Sequence, residues 1–285
     1  MPDCTPVGRD VTVAGMRAYS LGDLTVHRIG FGAKRLGKDL SHAIELLRRA
    51  VEWGVDHIDT AAFYPTGADD LADLGWANEA IREALWPYPA ELVIATKVGP
   101  TAAGLARPEQ LRGLVEADLR ALGRDHLDVV YLRPYGLDSI AGHFGALAEL
   151  RRAGLIRHLA LSNVRLAHLD EALSIAPVVA VQNRYGVDFG RINDELLTTC
   201  GARDIAFVPF FALAGTGREK GGVAVDDEVD AFAREHGFSP AQVRIAWTLS
   251  RGPHVLAIPG TGNIDHLAEN LRAADLLDLP GLADL

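Results

Sequence analysis

Cysteine is almost missing: Cys4 and Cys200 are the only two in 285 residues. Two thiols cannot build a disulfide framework, so a reducing compartment, the cytoplasm, is the expected setting. No apolar run approaches the ~20 residues that cross a bilayer. The opening stretch MPDCTPVGRD has no basic segment followed by an apolar core, so no signal peptide is expected. Basic clusters are lacking as well. The formal net charge is −10, and Lys and Arg never run beyond pairs such as Lys34–Arg35 and Arg151–Arg152. A nucleic-acid partner usually demands a basic face, so none is expected. No Gly-x-Gly-x-x-Gly follows the first strand to open a helix, which argues against a doubly wound dinucleotide fold. Nor does a linker or composition break divide the chain, and one domain over 1–285 is expected.

What the chain does have is apolar character in short bursts: 48% of residues are hydrophobic and the mean hydropathy is +0.09. Eight runs read as strands: 28–33, 57–61, 92–98, 127–133, 156–162, 178–183, 205–211 and 255–260. Their near-continuous apolar character suits a parallel sheet covered on both faces. Amphipathic segments alternate with them. RPEQLRGLVEADLRALG places Pro108 at a helix start and Gly123 at its stop. SPAQVRIAWTLSRG offers Ser239 as N-cap, Pro240 in the first turn and Gln242 where a capping box wants it. Further helices are expected at 41–53, 77–86, 140–153, 165–176, 194–202, 226–236 and 264–274. Eight β–α units in one α/β chain predict a (β/α)8 TIM barrel, with a short N-terminal hairpin sealing its floor.

In such a barrel the chemistry gathers at the C-terminal strand ends. Those ends carry Asp59, Lys97, Arg133, Ser162–Asn163, Gln182, Phe210–Phe211 and Gly260–Thr261. DVVYLRPYG is the odd one: a buried strand that ends in a guanidinium and then a proline. An unpaired buried cation is costly, so Arg133 must find a partner or emerge at a mouth. Residue by residue, plain alternatives stand. Asp59 is equally a helix cap, Tyr64 a loop aromatic, Lys97 a solvated strand end, Phe210 core packing and Arg133 half of a structural ion pair.

Taken together, GVDHIDTAAFY, ATKVG, LALSN, VQNRY, VPFFALAG and IPGTGNIDHLAEN resemble the aldo-keto reductases, roughly from residue 24 to residue 275. The resemblance is nearest to the pyridoxal reductase branch, which also ends its fourth strand in Leu-Arg. It implies NADPH-dependent reduction of a small-molecule aldehyde or ketone, with NADH an open alternative cofactor. It implies Tyr64 as proton donor, Lys97 as the cation that adjusts its acidity, Asp59 as the partner of Lys97, and Arg133 beside the substrate carbonyl. Cofactor contacts are implied for Ser162, Asn163, Gln182, Phe210, Phe211, Leu213, Gly260, Thr261, Gly262, His266, Glu269 and Asn270. A metal site is not expected, because the aspartates of PTGADDLADLGW lack ligand-like spacing.

Three features depart from the family's common pattern. His266 stands where arginine often meets the adenosine 2′-phosphate, Gly260 replaces a frequent lysine, and Arg133 replaces a frequent histidine. The chain also ends soon after the eighth helix, which implies a pocket shaped by the loop after Tyr64. The favoured substrate is a pyridoxal-like aldehyde. A sugar or secondary-metabolite ketone, and a catalytically weak NADPH-sensing protein, are the alternatives.

Overall fold

The computed structural model describes residues 18–64, 75–189, 191–213 and 226–285. It opens with an antiparallel hairpin, β1 (Ala18–Leu21) and β2 (Leu24–His27). The barrel strands follow as β3 (Phe31–Gly32), β4 (His57–Asp59) and β5 (Val93–Val98). A small excursion, β6 (Pro100–Thr101) and β7 (Gly104–Leu105), precedes β8 (Leu127–Leu132), β9 (Ile156–Ser162), β10 (Ala180–Gln182) and β11 (Ala206–Phe207). The seven barrel strands pair in parallel in the order β3-β4-β5-β8-β9-β10-β11. Residues 254–259 close the ring between its two edges. Ala257 bridges Ile29 and Val255 bridges Phe207, both in parallel, and Gly30 donates to the Ala257 carbonyl at 2.8 Å. The eighth strand expected over 255–260 is therefore present as a line of bridges. It stops short because Pro259 has no N–H to give the ladder.

Strand ends are shorter than their apolar runs for similar reasons. The run 205–211 forms regular ladder only over Ala206–Phe207, since Pro209 interrupts it, and pairing resumes at Phe210 opposite Arg184. After Gly32 the chain turns into a 3-10 segment, Ala33–Arg35.

The helices are α1 (Leu40–Glu52), α2 (Trp76–Leu85), α3 (Leu111–Leu122), α4 (Ala141–Arg152), α5 (Leu166–Leu173), α6 (Asp194–Ala202), α7 (Asp227–His236), α8 (Pro240–Ser250) and α9 (Ile264–Leu271). Their ends follow the local signals. The Ser239 hydroxyl accepts from Gln242 N–H while the Gln242 amide oxygen accepts from Ser239 N–H, the reciprocal pair of a capping box. Gly123 ends α3 at φ 65°, where a residue with a Cβ is strained.

Period-two alternation divides each strand between two cores. Ile58, Ile94, Val130, Leu132, Leu159, Leu161, Val181 and Phe207 face outward to the helices. Val93, Ala95, Val129, Tyr131, Ala160, Ala180, Ala206 and Val208 fill the barrel itself. Leu21 and Val26 of the hairpin join that inner cluster and so plug the floor. Asp23 latches the plug, accepting from Arg157 at 2.8 Å and lying 2.6 Å from His158. The segments 65–74 and 214–225, including most of PTGADDLADLGW and of the glycine-bearing loop after strand seven, lie outside the described residues.

Candidate active site

The same alternation that fills the barrel places its next layer at the mouth. On β5 the inward series runs Val93, Ala95, Lys97; on β8 it runs Val129, Tyr131, Arg133. Register puts Lys97 opposite Tyr131. β4 ends in Asp59, β9 in Ser162 and β10 in Gln182, so five strands deliver polar groups to one ring.

Asp59 is the hub. Its Oδ1 accepts from Lys97 Nζ at 2.6 Å and from the Tyr64 hydroxyl at 3.1 Å. Its Oδ2 accepts from Gln182 Nε2 at 2.7 Å. Lys97 Nζ also donates to the Thr60 carbonyl at 3.1 Å. The Asp59 oxygens take these side-chain donors rather than a helix N–H, and Lys97 is 2% exposed, which sets aside the helix-cap and solvated-lysine alternatives. A turn over Ala61–Tyr64, closed by Tyr64 N–H to the Ala61 carbonyl, swings the phenol back over the pair. Its ring meets Phe63 edge-on and lies 5.0 Å from Lys97 Nζ.

The electrostatics run in opposed directions. Burial, then the Asp59 carboxylate, push the Tyr64 phenol well above its ordinary range, while Arg133 works to lower it. Burial draws Lys97 below the ordinary lysine value; Asp59 resists, and Arg133 and Lys34 add to the fall. Tyr64 thus holds its proton firmly and directs it at Asp59, although a cation beside a phenol by itself favours the phenolate.

Arg133 is half-buried at the mouth. Its guanidinium lies 6.0 Å from the Phe210 ring centroid, and it has no carboxylate partner among the described residues. Phe210 and Phe211 meet edge to face at 5.2 Å. Phe211 takes φ 65°, a left-handed conformation that is strained for a large side chain. Asn163 is also left-handed, at φ 59°, which asparagine tolerates better; it is exposed at the rim. Ser162 is buried behind Gln182, its hydroxyl 3.5 Å from the Gln182 amide oxygen. Gln182 is therefore part of the Asp59 network as well as a candidate ligand contact.

Two adjoining cavities open here. The smaller, about 90 Å³, is bordered by Lys34, Asp59, Tyr64, Phe210 and Phe211. The larger, about 600 Å³, is bordered by Thr261, Gly262, His266, Glu269 and Asn270. Arg35, Leu213 and Gly260 line both. Asn263 caps α9, its Oδ1 accepting from Asp265 and His266 N–H. Gly260 has a packing reason of its own: a Cβ there would lie 2.5 Å from the Gly32 carbonyl oxygen. A lysine at 260 would force the two strand ends apart.

Sequence reasoning missed Lys34, Arg35 and Tyr131. The strand-end rule, applied to the first strand, would have found Lys34 and Arg35. It missed a second layer altogether. Thr96 Oγ1 donates to Asp118 at 2.7 Å, Asn78 Nδ2 donates to Asp118 at 2.9 Å, and Thr60 Oγ1 donates to Asn78 at 2.8 Å. This buried chain ties the neighbours of Asp59 and Lys97 to α2 and α3. Nothing in the spacing of these four residues marks them as partners.

Burial raises the Asp118 carboxyl to about 7, against the pull of its Thr96 and Asn78 hydrogen bonds. Between about pH 4, where an unfolded aspartate ionises, and about pH 7 the native state keeps a proton that the unfolded chain has released. Stability therefore falls as pH rises through that window and levels off above it. Asp118→Asn is expected to recover about 2–3 kcal/mol relative to the parent between pH 5 and pH 8. Urea denaturation at both pH values checks this, and parallel pH dependences would refute it.

The sequence pattern of the Aldo/keto reductase family matches residues 28–280. Pyridoxine 4-dehydrogenase of Escherichia coli is 37% identical over 90% of this chain and 93% of its own length. The solved thermostable aldo-keto reductase Tm1743, in complex with the inhibitor epalrestat, superposes with TM-score 0.79 at 28% identity, covering 94% of this chain and 98% of that one. An aldo/keto reductase of Klebsiella pneumoniae, in complex with NADP and acetate, superposes with TM-score 0.77 at 26% identity, covering 91% and 90%. No helix among the described residues is long and apolar enough to cross a membrane. With a closed parallel barrel, polar strand ends and a family match spanning nearly its whole length, the chain belongs to the aldo/keto reductase family.

Proposed function

We propose that this protein, as one barrel domain over 1–285, reduces aldehydes or ketones to alcohols with NADPH, and that a pyridoxal-like aromatic aldehyde is its substrate class. The observation that carries this reading is the Asp59 carboxylate holding Lys97 and Tyr64 together at the barrel mouth. The 37% identity to pyridoxine 4-dehydrogenase supports the substrate class.

The larger cavity fits the adenosine and phosphates of a dinucleotide, whose nicotinamide would share the smaller one with the carbonyl compound. Ser162, Asn163 and Gln182 would take the carboxamide, Phe210 would stack on the nicotinamide, and Phe211 and Leu213 would flank it. Arg35, Gly260, Thr261, Gly262, His266, Glu269 and Asn270 would hold the phosphates and adenosine. Arg35 supplies a permanent cation on that side, which favours NADPH even with His266 in the place of arginine. When bound, NADPH supplies a hydride to the carbonyl carbon. Tyr64 turns its proton from Asp59 Oδ1 to the carbonyl oxygen, and Lys97 then stabilises the phenolate left behind. Arg133 is a fixed donor for the developing alkoxide and cannot itself act as a base.

The test is NADPH oxidation with a panel of aldehydes and ketones, pyridoxal included. Pyridoxal turnover far below that of a sugar or secondary-metabolite ketone would reassign the substrate. NADPH binding without any turnover would leave a binding protein. Arg133→Ala is expected to lower kcat/KM roughly 10²–10³-fold, the usual loss of one oxyanion donor. Arg133→His should retain a larger share with altered substrate preference. Equal, unimpaired rates in both variants would make Arg133 a structural residue.

A further inference from the structure

Lys34 belongs to no motif that the proposed reaction uses, yet it borders the same small cavity as Asp59 and Tyr64. It sits in the 3-10 turn after β3, with its ammonium 4.9 Å from the Phe211 ring centroid. Arg133 approaches the neighbouring Phe210 from the other strand. The edge-to-face phenylalanine pair is thus flanked by three cations, since the Arg184 guanidinium also lies 5.5 Å from the Phe211 centroid; of these, Lys34 and Arg133 have no carboxylate partner among the described residues. The two are close enough that Arg133, after burial, helps draw Lys34 below the ordinary lysine value. Lys34 is exposed and Arg133 half-buried; like charges this near repel, and a bound anion relieves that repulsion.

The cofactor is one source of anionic charge, but the geometry separates the two basic neighbours. Arg35 lines both cavities, whereas Lys34 lines only the smaller one. We propose that Lys34 makes the substrate pocket select carbonyl compounds that carry an anionic group, a carboxylate or a phosphate, beyond the reacting carbon. Phe211 offers apolar contact, Phe210 being left to the nicotinamide, and Lys34 pairs with the anion at the rim. Lys34 acts on specificity and has no part in the proton or hydride transfer.

This inference rests on the carbonyl-reductase reading, and the experiment keeps the two apart. The parent and Lys34→Met are assayed with NADPH and matched aldehydes: para-carboxybenzaldehyde, its methyl ester and para-formylphenyl phosphate. The parent is expected to favour an anionic aldehyde over the ester by about tenfold in kcat/KM, the scale of one charge-assisted hydrogen bond at a half-exposed rim. The preference should lie mainly in KM, shrink with added salt, and approach unity in Lys34→Met. Preference for the carboxylate alone or the phosphate alone identifies which source the pocket takes, and either supports the proposal. Equal kcat/KM for charged and neutral aldehydes in the parent overturns it. So does an unchanged ratio in Lys34→Met; if NADPH binding also weakens, Lys34 belongs to the cofactor site.

If no aldehyde is turned over, the carbonyl-reductase reading fails. Calorimetric titration of benzoate against benzamide, with NADP+ present, then still decides the anion question. Tighter binding of benzoate that is lost in Lys34→Met supports the site, and equal binding refutes it.

Discussion

Tyr64→Phe is expected to lower kcat by roughly 10²–10⁴-fold, the usual worth of a positioned general acid, while NADPH still binds. The substitution removes one oxygen and keeps the ring that meets Phe63. Asp59 loses its weakest donor, at 3.1 Å, and keeps Lys97 at 2.6 Å and Gln182 at 2.7 Å. Folding stability should therefore move by only about 1 kcal/mol, the net value of one hydrogen bond. NADPH oxidation at saturating carbonyl, together with a fluorescence titration of NADPH, separates chemistry from binding. A variant that turns over like the parent would remove Tyr64 from the reaction.

Lys97→Met is expected to do two things at once, because Lys97 is both half of a buried pair and the cation next to the phenol. Removing one member of a buried ion pair leaves the other uncompensated and costs about 3–5 kcal/mol. The two remaining donors on Asp59 place this case toward the lower end of that range. Turnover should fall with stability, since no cation then sits under the Tyr64 ring. The double variant Asp59→Asn with Lys97→Met tells structure from chemistry. It carries no buried charge at this position, so its urea midpoint should recover toward that of the parent while its turnover does not. A recovery of both would mean that the pair only holds the barrel together, and an unchanged midpoint in Lys97→Met would refute the burial argument.

Both predictions act on residues that could be picked out before any fold was known. Asp59 and Lys97 end apolar runs with a charge, a conflict that only burial with a partner or a site resolves. The helix boundaries were equally open to reading, because a cap is a local bond: Ser239 with Gln242, Gly123 with its left-handed φ. Strand lengths were less so. The runs ending at 211 and 260 overstate their ladders, since Pro209 and Pro259 remove donors that apolar composition does not register.

The residues that stayed hidden share one cause. Asp118 and Asn78 lie on two helices, Thr96 on a strand and Thr60 just past another, and they meet only because the helices pack on the barrel. Hydrogen-bond partners this far apart leave no periodicity in the chain. Lys34 and Arg133 are likewise far apart in the sequence, and nothing before folding says that one phenylalanine pair lies between them.

Alternation and capping are short-range matters, so the barrel, its plugged floor and the identity of the polar strand ends were written locally in the chain. Closure of the ring is long-range. It alone turned Gln182 toward Asp59, drove Gly260 against Gly32 so closely that no side chain fits, and left Arg133 beside Tyr64 without a carboxylate among the described residues. Charge and solvation depend on distances through space, which is why the direction of the Tyr64 and Lys97 pKa shifts had to come from the folded protein.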